Sequence, residues 1–222
     1  MTLKRQVAFA AAAVLIAELL APSALSDDIY IYVRNGADLK ELADKCVIDS
    51  YSVGKTVVLD ADIDLGASDQ VYIPYFSGVF EGGGHKITGF TLKVSNPERG
   101  FIGTVGANGV VRDIKLSGKI IEGETSYEDQ IKVNAGKLLD IIDDISSDVG
   151  AVADRFINDT GVYNVGGIAG VNNGTITGCS FEGSIDLNKN VGGIAGVNEG
   201  RIESCTNRAS VKGEENTGGI AG

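Results

Sequence analysis

The sequence predicts a mainly β fold: a parallel β-helix, or solenoid, of about 26-residue coils with an N-terminal cap and an α-helical insertion. Three observations lead there. The stretch Asn164-Val165-Gly166-Gly167-Ile168-Ala169-Gly170 returns as Asn190-Val191-Gly192-Gly193-Ile194-Ala195-Gly196 and again as Asn216-Thr217-Gly218-Gly219-Ile220-Ala221-Gly222. Between those blocks the offset persists, because Asn172, Gly174, Ile176 and Cys179 are matched by Asn198, Gly200, Ile202 and Cys205. Within the unit the apolar residues stand singly, at Ile168, Ile176, Cys179, Phe181 and Ile185, with Gly or Asn every few positions. Helical repeats need longer runs free of Gly, whereas Gly and Asn accept the tight corners between short strands.

Stacking equivalent residues about 4.8 Å apart places Ile168 under Ile194 and Ile220, Ile176 under Ile202, Cys179 under Cys205, and Ile185 under Val211. A buried aliphatic contributes roughly 1.5–3 kcal/mol. One coil cannot bury its inner face alone, so the array is expected to be stable only as a stack. Asn207 stands where the previous unit has Phe181. It is expected either near a strand end or at a slip of register.

Residues 1–26 have the form of a signal peptide. Lys4 and Arg5 precede the mostly apolar Val7–Ala21, and Ala24-Leu25-Ser26 offers small residues for cleavage before Asp27. The apolar run carries Glu18 and falls short of the ~20 residues of a spanning helix, so no membrane span is expected in the mature chain. Residues 27–56 read as a cap, with a strand at Ile29–Val33 and a short helix at Asp38–Cys46. Asp38 is the expected N-cap, and Leu39, Leu42, Ala43 and Cys46 share one face.

The first coils are expected over 57–121. After Leu59 the alternation turns Asp60, Asp62 and Asp64 outward, a solvated row lacking the Gly and distal Glu of a calcium loop. Ile87, Phe90 and Leu92 align with Val111, Ile114 and Leu116 at an offset of 24, and Phe80 aligns with Phe101. Gly100-Phe101-Ile102-Gly103 reads as a variant of the later Gly-Ile-Ala-Gly. Over 122–161 the period breaks into a helical insertion. Ile131, Ala135, Leu138, Ile142, Ile145, Val149, Val152 and Phe156 form a heptad stripe, with a helix at 126–157. That helix is expected to dock on the outside of the stack, with a partner helix as the alternative, because a bare stripe would expose a large apolar patch.

Chemistry is scarce. His85 is the one histidine and follows three glycines at a corner, so no His-based zinc site can be assembled. Neither a G-x-S-x-G elbow nor a P-loop is present. No catalytic, cofactor-binding or metal residue is assigned, and the segment is expected to be non-enzymatic. Tyr72, Tyr75 and Phe76 form the one aromatic group that could face a carbohydrate. With 19 Lys and Arg against 30 Asp and Glu, the net charge of −11 argues against nucleic acid. Three cysteines cannot form a complete disulfide framework. Cys179 and Cys205, one coil apart, are expected as stacked buried thiols, with a disulfide as the alternative.

The repeat residues over 162–222 also carry a family resemblance. Gly167-Ile168-Ala169-Gly170, followed by Asn-Gly-x-Ile-x-x-Cys, resembles the GLUG motif, with Ile where the motif name has Leu. The same pattern is carried by Gly193, Ile194, Gly196, Ile202 and Cys205, and by Gly219, Ile220 and Gly222. The resemblance is weaker over 57–121 and does not reach 122–161. GLUG repeats occur in large bacterial surface proteins, including adhesin-like ones, and in non-catalytic parts of some IgA-cleaving metallopeptidases. The resemblance implies a right-handed β-helix on a cell surface and no catalytic residues.

The resulting expectation is an exported cell-surface stalk or adhesin-type binding module, with a host or cell-surface protein or glycan as partner. It is expected to be the N-terminal portion of a longer protein. The alternatives are the non-catalytic leader of a secreted hydrolase and a carbohydrate-active β-helix.

Overall fold

Parallel strands cannot be joined by two-residue hairpins, so a chain of short strands and tight corners must carry consecutive strands into different sheets. The computed structural model describes residues 29–66, 71–94, 98–122, 164–187 and 189–222, and there it is mainly β with a single helix. In chain order the elements before the expected insertion are β1 (Tyr30–Val33), α1 (Gly36–Lys45), β2 (Thr56–Leu59), β3 (Ile63–Asp64), β4 (Ile73–Phe76) and β5 (Val79–Glu81). They continue with β6 (Lys86–Val94), β7 (Glu98–Arg99), β8 (Ile102–Val105), β9 (Val110–Arg112) and β10 (Lys115–Glu122). After it come β11 (Asn164–Gly166), β12 (Ala169–Asn172), β13 (Thr175–Thr177), β14 (Ser180–Asp186) and β15 (Lys189–Gly192). The last are β16 (Ala195–Asn198), β17 (Arg201–Glu203), β18 (Thr206–Asn207), β19 (Ser210–Lys212) and β20 (Glu215–Gly218).

These strands build four sheets, and the pairings in all four are parallel. The first runs β1-β2-β5-β9-β13-β17, and the second β3-β6-β10-β14, with β18 and β19 both on β14. The third is β4-β8-β12-β16 and the fourth β7-β11-β15-β20. From β4 onward the chain visits the third, first, second and fourth sheets in turn, round after round. It leaves at Glu122 in the second sheet and returns at Asn164 in the fourth, the next in that order. The insertion expected over 122–161, the helix expected at 126–157 and the signal peptide expected over 1–26 lie outside the described residues, apart from Glu122 at the end of β10.

Register makes the interior continuous. Val57, Phe80, Val111, Ile176 and Ile202 stack in the first sheet, and Ile63, Ile87, Leu116, Phe181 and Asn207 in the second. A second row there is Leu92, Ile120, Ile185 and Val211. Phe76, Phe80, Phe101 and Phe90 form an aromatic chain through the interior, with ring centroids 5.7, 6.0 and 6.0 Å apart. Edge-to-face contacts of this kind add to the burial energy.

Two expectations change. Ile87 pairs with Leu116, not Val111, and Phe80 with Val111, not Phe101. The offset of 24 followed apolar spacing, but the corner from Gly82 to His85 is longer than the one at Asp113-Ile114, and β6 holds a bulge. Gly89 sits at that bulge with φ +69°, a conformation costly for other residues. The helix begins at Gly36 rather than Asp38, because Asn35 is the N-cap. Its side-chain oxygen accepts from the Ala37 and Asp38 amides at 2.9 and 3.0 Å, while Asp38 turns back to accept the Arg34 amide. Of the two alternatives for Asn207 the strand end holds: it closes β18 in register with Phe181, and its side chain accepts from the Ala209 amide at 2.8 Å.

Ile185 against Val211 and Gly100–Gly103 against Gly167–Gly170 stand as expected, and Ile114 occupies the place of Cys179. At the first-to-second-sheet corner, Asp113, Gly178 and Ser204 stack with φ of 56°, 63° and 52°. Between β1 and β2, where later rounds have strands of the other sheets, the chain makes α1 and a run of turns. Leu39, Leu42, Ala43 and Cys46 are buried from that segment.

Candidate functional site

The repeat residues are packing elements. Gly167 is Gly because Phe181 fills the space beside it, and Gly193 faces Asn207 in the same way. Gly170, Gly196 and Gly222 each come too close to a neighbouring backbone to admit a Cβ. Ile168 and Ile194 are buried, and their amides donate to the carbonyls of Ile194 and Ile220 at 2.9 Å. Ile176 is buried, Ile202 half-buried, Ile220 exposed, and Gly219 has open space beside it.

Polar rows run beside the apolar ones. Asn190 donates to the Asn164 side-chain oxygen at 2.9 Å and accepts from Asn216 at 2.8 Å. Asn172 is fully buried, donates to Asn198 at 2.6 Å, and accepts from the Gly174 amide. Each amide meets its own counterpart one period away, which satisfies polar groups that burial would otherwise penalise.

Among the described residues the carboxylates of the outward row make separate pairings. Asp60 pairs with Arg34 at 3.0 Å, Asp62 with the His85 ring at 2.9 Å, and Asp64 accepts from the Gly66 amide. The Lys86 amide, and then His85, hold the Asp62 carboxyl below its usual range. Glu81 and Arg112 pair across the first sheet. Among the described residues no three His, Cys, Asp or Glu converge as a metal site, and no helix is long and apolar enough to cross a membrane.

The aromatic trio does not form one surface. Phe76 is buried in the core, while Tyr72 lies under the Arg99 guanidinium at 4.0 Å, and the Tyr72 and Tyr75 hydroxyls pack over Gly103 and Gly106. Among the described residues the exposed aromatics are instead on β1, where Tyr30 is 60% and Tyr32 48% exposed. Between β1 and α1 lies a cleft of about 160 Å³ lined by Tyr32, Arg34, Asp38, Glu41, Lys45 and Tyr51, among others. Its charges are matched internally: Arg34 stacks 5.3 Å from the Tyr32 ring and holds Asp60, while Lys45 holds Glu41 at 2.7 Å. That hydrogen bond to Glu41 is the main cause of the raised Lys45 pKa. Such a cleft offers aromatic faces and paired ions without a net charge demand.

The three cysteines differ. Burial pushes the Cys46 thiol up to about 12. Cys179 and Cys205 shift each other as neighbouring thiols, raising the Cys179 pKa and lowering that of Cys205 to about 7.

No family model, curated protein or solved structure matches the chain.

Sequence reasoning assigned no role to the asparagine rows, although their recurrence at the period was the available signal. It also passed over the β1 surface, because Ile29-Tyr30-Ile31-Tyr32-Val33 reads as strand composition. The i, i+2 spacing of Tyr30 and Tyr32 was the sign that both rings leave on one face.

Proposed function

We propose that this chain is an exported, non-catalytic, right-handed parallel β-helix with GLUG-like coils, acting at the cell exterior as a structural stalk or adhesin-type binding module. The observation that carries the reading is that side chains meet their own counterparts 26 residues away, as Asn164, Asn190 and Asn216 do. A stack of that kind presents long regular faces and builds reach rather than a deep pocket.

The binding partner in this reading is a cell-surface protein or glycan, and the cleft beside β1 is the surface we favour. Exposed tyrosine faces suit the C–H face of a sugar ring, and the paired ions around them suit its hydroxyls.

Two measurements test the reading. Expression with the native N-terminus in a bacterial host should yield an exported chain beginning at Asp27. Retention in the cytosol with Met1 intact would overturn export. The purified chain should bind glycans or surface extracts through the cleft, with Tyr32→Ala weakening binding at least ~10-fold, in line with loss of an aromatic anchor. Equal binding by Tyr32→Ala would remove the cleft from the reading.

A further inference from the structure

Cys179 and Cys205 occupy the same corner in successive rounds. They are flanked by the register pairs Thr177 with Glu203 and Ser180 with Thr206, and the Thr206 amide donates to the Cys179 carbonyl at 2.9 Å. Stacked parallel strands hold such residues about 4.8 Å apart at Cα, within the span a disulfide accepts. As thiols the two make equivalent contacts. Cys179 Sγ lies 3.3 Å from the Thr177 carbonyl oxygen and 3.6 Å from that of Val111, and Cys205 Sγ the same distances from those of Glu203 and Ile176.

The pair is asymmetric in access. Cys179 is 1% exposed, whereas Cys205 is half-buried. A reagent therefore meets Cys205 first, with Cys179 directly behind it. The asymmetry extends to ionisation. With the two thiols side by side, the Cys205 pKa is lowered to about 7 and that of the buried Cys179 is raised. A thiolate supported by a neighbouring thiol is the arrangement of an attacking and a resolving cysteine.

We propose that Cys205 and Cys179 form a thiol–disulfide exchange site that accepts a low-molecular-weight disulfide and closes to a bond across successive repeats. The Cys205 thiolate attacks one sulfur of the small disulfide. A mixed disulfide forms, and the first small thiolate leaves and takes up a proton. Cys179 then loses its proton and attacks Cys205 Sγ, and the second small thiol departs. The small disulfide is reduced by two electrons, and the two cysteines are oxidised by the same two. This site does not depend on the proposed adhesive role. Cys46 provides an internal control, because it is buried and its thiol is held neutral.

The test is incubation of the fully reduced 222-residue chain with glutathione disulfide under native conditions, followed by acid quench, intact mass and peptide mapping. The expected product has lost the mass of two hydrogens, carries a Cys179–Cys205 link, and has released two glutathiones per chain, with Cys46 still reduced. Cys179→Ala should accumulate a glutathione adduct on Cys205. Cys205→Ala should consume the disulfide at least ~10-fold more slowly. Circular dichroism establishes that each variant is folded. Should either variant unfold, differential alkylation of the unaltered chain decides in its place, with Cys205 expected to label first. A persistent adduct on the unaltered chain, no reaction, or reaction at Cys46 as fast as at Cys205 would each overturn the proposal.

Discussion

Gly167 lies so close to Phe181 that a Cβ on the glycine would fall 2.3 Å from the Cγ of the Phe181 ring. The Gly193 carbonyl oxygen closes the other side at 2.5 Å. Gly167→Ala is therefore expected to destabilise the fold by about 1–3 kcal/mol through overpacking. Denaturant titration should show a lower midpoint. In a Phe181→Ala background part of that cost should disappear, and a double-mutant cycle measures the coupling.

Asn190 joins two side-chain hydrogen bonds and sits at φ +41°. Asn190→Ala removes both bonds and places an alanine in the left-handed region, for an expected loss of about 2–3 kcal/mol. Asn190→Gly should recover the backbone part alone. Thermal melts of the two variants separate these contributions, and equal losses would contradict the assignment.

The Asp62 carboxyl is held below its usual pKa by the Lys86 amide and by His85. A depressed folded pKa contributes stability that is present above the unfolded value of about 4 and is lost as pH falls through the folded one. Asp62→Asn should accordingly lose this contribution at neutral pH, a small one for so exposed a group, and flatten the acid limb below about pH 4 so that the two curves converge at low pH. Denaturation midpoints measured from pH 6 down to pH 2 check this.

Cys46 behaves in the opposite sense. Its thiol is pushed up from 9.0 to about 12 by burial, so the folded chain keeps it neutral where the unfolded chain ionises. Stability from this group is complete below pH 9 and is lost as pH rises toward 12, by about 4 kcal/mol at the end of that window. Cys46→Ala should lose stability at neutral pH, from its cavity, yet show a shallower alkaline decline. An unchanged alkaline slope would contradict the assignment.

The later rounds were legible because each residue has a counterpart at a fixed offset, and register copies that offset into space. Ile176 over Ile202 and Ile185 over Val211 follow directly. The earlier rounds were less legible, since corner length and bulges alter the spacing without altering the row. Gly82–His85 and Gly89 did so here, and the apolar pattern alone could not separate Val111 from Leu116 as the partner of Ile87. At the helix start, Asn35 and Asp38 are both good caps by composition, and only the direction of the preceding chain decides between them. The β1 surface was hidden for a related reason, because alternation states which residues share a face but not whether another sheet covers it.

The asparagine rows have a consequence for how such a gene can change. Because Asn164, Asn190 and Asn216 are linked at intervals of 26 residues, adding or removing one interval by unequal recombination would hand every side chain an equivalent partner. A codon count that is not a whole interval would misalign the rows unless a corner or bulge took up the difference, as Gly82–His85 and Gly89 do in the earlier rounds. Length thus becomes a trait that can be lengthened or shortened in discrete steps, while the chemistry of each face is inherited intact.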